Sequence, residues 1–482
     1  MQPIKFTTIA IILIPLWVCS KTVFAFEFIQ LSGVIHVHST YSSGRYSIKE
    51  LVAKAMEKHL EVMVLTDHDQ VVMEYGIFPF RNLIKKRQEG RSVLQAGPRL
   101  YLSEVQRLNN QQQSVLIIPG VQSSPFYYWR RAPWGKGLSA YNYRKELLLV
   151  GLSSPDDYYK LPLMHGGFST RYVKDLLPGF LIFFAAFILS LYLIFQKGKM
   201  RWCGLGIAVL SVALMVDHHP FKSSRYDAYH GDQGTGPYQE VIDYTSSRGG
   251  LVFWAHPESN YSKTGVRLGS IEMITGPYPA ELVESNNYTG FVAIYGDSYS
   301  ADKAGMQWDR VLLDYCRGIR RHPVWAIAGA DFHDEKNGVD LDTYQTVFLV
   351  KSKRYKELMQ ALEQGRVYAV RKPAAVRLSL DQFQIEDKST GKTAIMGGEM
   401  ATIGTPVIAG RLSVSDGSRH AVTVAVIRGG KPAWSFEGQT PLDFHLLDKD
   451  QWNGKTFYRL DVKDKAGGHL LSNPIFVARA SD

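Results

Sequence analysis

Cysteine is scarce: three residues in 482, at positions 19, 203 and 316. The first two lie in long apolar stretches, which leaves Cys316 alone in the remainder and excludes a disulfide framework. An oxidising compartment is thereby permitted rather than indicated. Basic runs are also missing, although Lys plus Arg total 55 against 45 acids, a formal net charge of +10. With no basic run and no RNA-binding signature, a basic, aromatic-rich surface facing a membrane explains that charge at least as well as nucleic acid does. The length allows two or three domains and a sizeable core.

What is present begins with apolar runs. The first 28 residues hold Lys5, an apolar run from Phe6 to Val18, and Val23-Phe24-Ala25 at a position suited to cleavage. This pattern reads as a secretory signal or an uncleaved anchor. Leu16-Trp17-Val18-Cys19 has bulky residues where a lipidation box needs small ones, so lipidation is not expected. Leu176 to Phe195 is uncharged over 20 residues, and at roughly 1.5 Å per residue it can cross a hydrocarbon core of about 30 Å. Trp202 to Val216 is a shorter apolar run. Lys197, Lys199 and Arg201 between them assign the turn to the cytoplasm, so both flanks of this transmembrane hairpin lie outside, where the N-terminal signal also delivers the chain.

The chemistry concentrates at strand ends. Val34 to Asp69 reads as a βαβ unit: an apolar strand carrying His36 and His38, a helix with the capping box Ser47 to Glu50 and the apolar stripe Leu51, Ala55 and Met56, then a strand Leu60 to Leu65 ending in Thr66-Asp67-His68-Asp69. Histidines at i and i+2 share one strand face, and a parallel return brings the second polar cluster alongside. Further strands are expected at Val115–Gln122, Leu251–His256, Glu281–Asn286, Val324–His333 and Tyr344–Val350. Helices are expected around Glu104–Leu108, Pro237–Arg248, Trp308–Arg321 and Arg354–Gln364. Residues 126 to 172 are crowded with Tyr, Trp and Arg, which suits a lipid interface better than a substrate wall. Alternating strands and helices with metal-type residues at strand C-termini indicate an α/β barrel whose site lies in its C-terminal loops. From Pro373 onward, short strands separated by turns indicate a small all-β sandwich with no catalytic constellation.

Taken together, His36-Val37-His38-Ser39, Thr66-Asp67-His68, Pro119-Gly120-Val121-Gln122, Ala255-His256-Pro257 and Gly329-Ala330-Asp331-Phe332-His333 resemble the motifs of the PHP (polymerase and histidinol phosphatase) domain family, in family order. The tail Leu471-Ser472-Asn473-Pro474-Ile475 is similar to that of the exported branch that includes carbaryl hydrolases. The resemblance implies a distorted (β/α)7 barrel with the helical hairpin inserted in it, divalent metal (zinc, manganese or iron, one to three ions) and phosphoester hydrolysis. The implied organisation is residues 1–28 signal or anchor, 29–175 first barrel part, 176–216 hairpin, 217–372 second barrel part and 373–482 β-sandwich. It further implies that His36, His38 and Asp331 hold one metal, His68 and His333 another, and that His256 serves a further position, with Asp67 orienting a ligand from behind. Neutral imidazoles with carboxylates suit these metals, and a water acidified by the metal would be the nucleophile.

Two positions depart from the family pattern. Gln122 stands where a bridging Glu is common, and Ser43 where an Asp is. An amide offers a cation only its carbonyl oxygen and no charge, so fewer or weaker metals are expected. The expected function is a membrane-anchored hydrolase facing the periplasm or exterior and acting on a small phosphoester, with no nucleic-acid partner. The alternative is a metal-poor binding or scaffold protein with an eroded site. Asp217-His218-His219-Pro220 and His230-Gly231-Asp232 are read as interfacial or structural, and His165 and His322 have no evident partner.

Overall fold

A computed structural model describes residues 28–131, 137–262, 267–268, 271–335, 339–373 and 376–479. The expected signal or anchor falls at 1–28, essentially outside these residues. The fold is mixed α/β. Strand Ile29–Val37 lies between Tyr344–Val350, antiparallel to it, and Val62–Leu65, parallel to it; Val62–Leu65 in turn pairs in parallel with Leu116–Ile118. The crossover helix Ile48–Glu57 carries the expected capping box and buries Ile48, Leu51, Val52 and Ala55. Met56, assigned to the buried stripe from sequence, is exposed instead.

A second sheet runs in the order Trp325–Ala328, Gly290–Ile294, Leu251–Trp254, Leu147–Val150, Gly120–Ser123, Asp67–His68. Only Leu147–Val150 runs antiparallel to its neighbours. Two chain segments serve both sheets. One breaks at Thr66 between Val62–Leu65 and Asp67–His68, the other at Pro119 between Leu116–Ile118 and Gly120–Ser123. Pro119 has no N–H to give to a ladder. Gly120 follows it because a Cβ there would lie 2.7 Å from Leu149 O and 2.8 Å from Leu65 O. Ala330 N–H to Ile35 O (2.9 Å) and Phe332 N–H to His36 O (3.0 Å) tie the two sheets together. Among the described residues no sheet closes on itself, so the expected barrel is not obtained as one closed sheet.

Three local expectations change. Glu281–Asn286, expected as a strand, opens with the short helix Glu281–Glu284, anchored by an ion pair between buried Glu281 and Lys145. The strand of this region is Gly290–Ile294, entirely buried and unread from sequence. In the polar stretch after Val71, the helix Pro98–Gln111 is preceded by a β-hairpin, Val71–Gly76 with Lys85–Gly90. The aromatics Phe126, Tyr127, Tyr128 and Trp129 do not face lipid; they are buried. Trp129 Nε1 donates to Glu74 O at 2.9 Å, and Tyr127 OH accepts from Glu74 N at 2.7 Å, so their polar tips are satisfied inside the protein.

Two helices, Val173–Ile194 and Lys199–Asp217, are long and apolar enough to cross a membrane. They pack closely at Gly204, where a Cβ would meet Ile194 N at 2.7 Å. From Leu378 to Arg479 the described residues hold strands and no helix. Strand His469–Ser472 pairs with Val367–Arg371, which makes one C-terminal sheet continuous with the first. Buried Arg459 makes two hydrogen bonds to Asp309, at 2.7 and 3.0 Å. Buried Asn473 bonds both N–H and C=O of Ala326, at 2.8 and 3.1 Å, and thereby fixes the strand that leads to Asp331.

Candidate metal centre

His36 sits at a register shift in its strand with φ +71°, and His256 (φ +22°) and Asp331 (φ +47°) also adopt positive φ. Such backbone is costly for residues with a Cβ and clusters where function over-determines it. Here it turns three strand ends inward. His36 Nε2, His38 Nε2 and His333 Nε2 lie 3.2, 3.4 and 3.2 Å from the same atom, Asp331 Oδ1. Two sets of side chains lie close enough to hold a metal: His36, His256 and Asp331, and His38, Asp331 and His333. Sequence reasoning grouped them differently. His256 joins His36, His333 joins His38, and Asp331 is common to both. His68 belongs to neither set, but its ring lies 4.9 Å from that of His38 and it lines the same cavity.

Protonation differs across the cluster. Burial lowers His36 to about 4, although Asp331 opposes the shift, and burial also holds His38 and His68 below the ordinary imidazole range. These rings are neutral at pH 7, whereas His256 and His333, which burial alone would lower, are raised by Glu146 and by Asp331. Burial would raise the Asp331 carboxyl, but His36, His333 and His38 hold it well below the usual carboxylate range. The tautomer of His38 follows from its neighbours. Ser42 Oγ donates its single proton to Asp67 at 2.6 Å, so His38 Nδ1, 3.3 Å from Ser42 Oγ, carries the hydrogen and leaves Nε2 with a lone pair. Asp67 therefore orients a candidate ligand through Ser42, and it also accepts from Ser39 N and Oγ. Ser43 Oγ lies 3.0 Å from His333 Nδ1 and orients that ring.

The polar groups fit a cation by what they lack. Among the described residues, the buried atoms His36 Nε2, His38 Nε2 and Gln122 Oε1 make no hydrogen bond, a costly state that a metal or proton relieves. Gln122 Nε2 lies 3.4 Å from His256 Nε2. One residue that sequence reasoning missed is Glu146. It is buried, with Oε2 at 3.2 Å from His256 Nε2, and it accepts from Ser124 Oγ at 3.0 Å. Burial would raise its carboxyl, but His256 holds it below the ordinary value. Glu146 directly precedes the strand paired to that of Gln122, so a carboxylate stands one strand away from the neutral amide. A second missed residue is Arg144, which lines the cavity with its guanidinium 4.9 Å from the Tyr261 ring centre. Their signal was an acid and a base two apart at the start of an apolar run.

The cavity measures about 300 Å³, and Tyr127, Tyr143 and Tyr261 form part of its wall. Asp331 and His333 retain 38% and 35% of their side-chain exposure, so solvent reaches the cluster from their side. The PHP domain model matches residues 35–149, the segment that supplies His36, His38, His68, Gln122 and Glu146. The chain carries a PHP domain.

Beyond that domain the likenesses are thin. The DNA polymerase/3'-5' exonuclease PolX of Bacillus subtilis is 37% identical over 51 residues, 11% of this chain and 9% of that protein. A two-domain protein from Bacteroides vulgatus containing a predicted PHP-like metal-dependent phosphoesterase aligns over 94% of this chain and 96% of its own, at 11% identity and a TM-score of 0.37. A protein from Bifidobacterium adolescentis described as a metal-dependent phosphoesterase aligns over 63% and 87%, at 13% identity and a TM-score of 0.27. The remaining histidines lie apart from the PHP cluster. His165 pairs with Glu74 at 2.9 Å, His218 with Asp217 at 3.4 Å and His230 with Asp227 at 2.5 Å, while His322 is exposed.

Proposed function

We propose that the chain is a metal-dependent hydrolase of small phosphoesters, held at a membrane by the helical hairpin with its PHP and C-terminal β regions outside. In this reading the two sheets form a distorted seven-stranded barrel, and residues 373–482 form a β-sandwich docked on it. The observation that supports the reading best is the single Asp331 oxygen shared by three buried or half-buried imidazoles, two of whose Nε2 atoms make no hydrogen bond among the described residues.

His36 with His256, and His38 with His333, would hold cations on either side of Asp331, with Glu146 and the Gln122 carbonyl completing the first pair and His68 available to the second. A bound divalent cation supplies Lewis acidity toward phosphoryl oxygens and lowers the pKa of water. The protein does the rest. Asp67 and Ser42 hold the His38 tautomer, Ser43 aims His333, and Arg144 offers a guanidinium to a phosphoryl group entering the cavity. Gln122 favours the competing reading, a metal-poor binding protein; Glu146 weighs against it by returning the missing charge.

Elemental analysis of the purified chain, followed by assays on phosphomonoester, phosphodiester, carboxylester and oligonucleotide substrates with zinc, manganese or iron, tests the proposal. Bound metal with turnover of a small phosphoester is expected. No metal and no turnover with any of these cations would overturn it, and cleavage of the oligonucleotide alone would replace the substrate class.

A further inference from the structure

A second cavity, about 940 Å³, lies where the β-hairpin Val71–Gly76/Lys85–Gly90 meets the two apolar helices. Its two sides differ in chemistry. Leu176, Phe183, Leu214 and Val216 of the helices form an apolar side, whereas Arg81, Lys85, Arg87, Lys222 and Arg225 form a basic one. Three of these cations are ion-paired: Lys85 with Glu74, Arg87 with Glu74 and Glu89, and Arg225 with Glu240. The other two are not. Arg81 has only the rings of Tyr229 and Phe78 against it, at 4.0 and 5.7 Å, and Lys222 makes no ion pair or hydrogen bond among the described residues, although Asp217 and Asp227 of the same cavity attract it from farther off. Two cations outside any ion pair, facing an apolar wall, suit an anion with an apolar body.

The surroundings supply the second condition, contact with lipid. Ile77, Phe78, Leu83 and Ile84 at the turn of the β-hairpin are exposed, as are Phe168 and Phe221, which stack on each other. The turn is fixed to the end of the second helix, because Asp217 accepts from Asn82 N at 2.7 Å and Leu83 N at 3.0 Å. Exposed large apolar side chains held at the mouth of an apolar helix pair belong in an interface rather than in water.

We infer that this cavity binds the phosphate headgroup of an anionic membrane phospholipid, with Arg81 and Lys222 as counter-ions and the acyl chains against Phe183 and Leu214. The inference rests on the proposed membrane placement of the hairpin and does not require the metal centre to act. Free phosphate shares the headgroup chemistry but has no use for the apolar wall.

The test uses the full-length chain in nanodiscs of equal phosphatidylglycerol and phosphatidylcholine. Native mass spectrometry of released protein should find phosphatidylglycerol retained about tenfold over phosphatidylcholine, and Arg81→Gln with Lys222→Gln should abolish the preference. An unchanged melting temperature in the variant shows that it is folded, and the single Lys222→Gln provides a milder check. An absent preference, a preference unchanged in the double variant, or equal displacement by millimolar inorganic phosphate and by phosphatidylglycerol each overturns the inference. Alkaline carbonate washing of native membranes separates the two failures. A chain that stays in the membrane without lipid preference refutes only this site, whereas a chain washed free refutes the membrane placement as well.

Discussion

The two cavities share a wall at Met164 and solve opposite problems. In the PHP cavity, imidazoles surround carboxylates, and among the described residues the buried lone-pair donors His36 Nε2, His38 Nε2 and Gln122 Oε1 make no hydrogen bond. In the cavity beside the helices, the cations Arg81 and Lys222 make no ion pair among the described residues. Tyr127 stands between them, lining the first and touching His165 of the second at 3.1 Å. The sign of what is left unpaired, more than the number of polar groups, tells which ion each cavity suits. That contrast can be broken by removing charge from one side and reading both.

The largest effect is expected at Asp331. Asp331→Asn keeps the shape and removes the one charge shared by both candidate metal sets, so metal affinity should fall by at least about 100-fold. Isothermal titration with manganese or zinc reads this directly. Anionic-lipid retention in the same variant should not change; if it falls in parallel, the two cavities are one system and the comparison fails.

How much of this was legible beforehand follows from where each residue sits. His36, His38, His68, His256, Asp331 and His333 all end apolar runs, and strand C-termini were expected to converge, so their gathering could be read from sequence. Their grouping could not, because it depends on the positive φ of His36, His256 and Asp331. Glu146 went unread within the aromatic-rich stretch 126–172, and only the antiparallel insertion of Leu147–Val150 beside Gln122 reveals it. The run Phe126–Trp129 has the composition of a lipid interface, but the main chain of Glu74 satisfies Tyr127 and Trp129 inside the protein. The exposed apolar residues that do fit an interface, Ile77, Phe78, Leu83 and Ile84, are too few and too broken by Pro79, Arg81 and Asn82 to stand out in sequence. The continuity of the C-terminal strands with the first sheet rests on the pairing of His469–Ser472 with Val367–Arg371, a contact that no local pattern encodes.

An intermediate effect concerns the displaced charge. If Glu146 replaces what Gln122 cannot supply, Glu146→Gln should weaken metal binding about tenfold, since one unit of charge is lost beside His256 while shape is kept. Restoring the charge one strand away, as Gln122→Glu combined with Glu146→Gln, should recover most of that loss. Titration of the two variants and the parent decides between this and a purely structural Glu146. If Glu146→Gln binds metal as the parent does, the carboxylate serves only to hold His256, and the PHP cavity is as poor in charge as its amide suggests.

The smallest effect sharpens the other cavity. Burial would raise the Glu74 carboxyl, yet His165, Lys85 and Arg87 hold it well below the ordinary value. The sign follows from linkage. A carboxylate with a depressed folded-state pKa stabilises the protein above its unfolded value of about 4.3, and that stability is lost as pH falls toward the folded value. Below about pH 4 the parent's melting temperature should therefore drop partly through Glu74. Glu74→Gln removes that part of the slope while costing on the order of 2 kcal/mol at neutral pH, because three basic groups lose their shared acceptor charge. Two melting curves over pH 2 to 7 make the comparison, the range being set by about two units either side of the ordinary value. The variant should also bind anionic lipid more tightly than the parent, since Lys85 then joins Arg81 and Lys222 without an ion pair, while Arg87 keeps Glu89. A Glu74→Gln chain with an unchanged acid slope and unchanged lipid retention would mean that the basic wall is already neutralised by solvent, and the contrast between the cavities would rest on the PHP side alone.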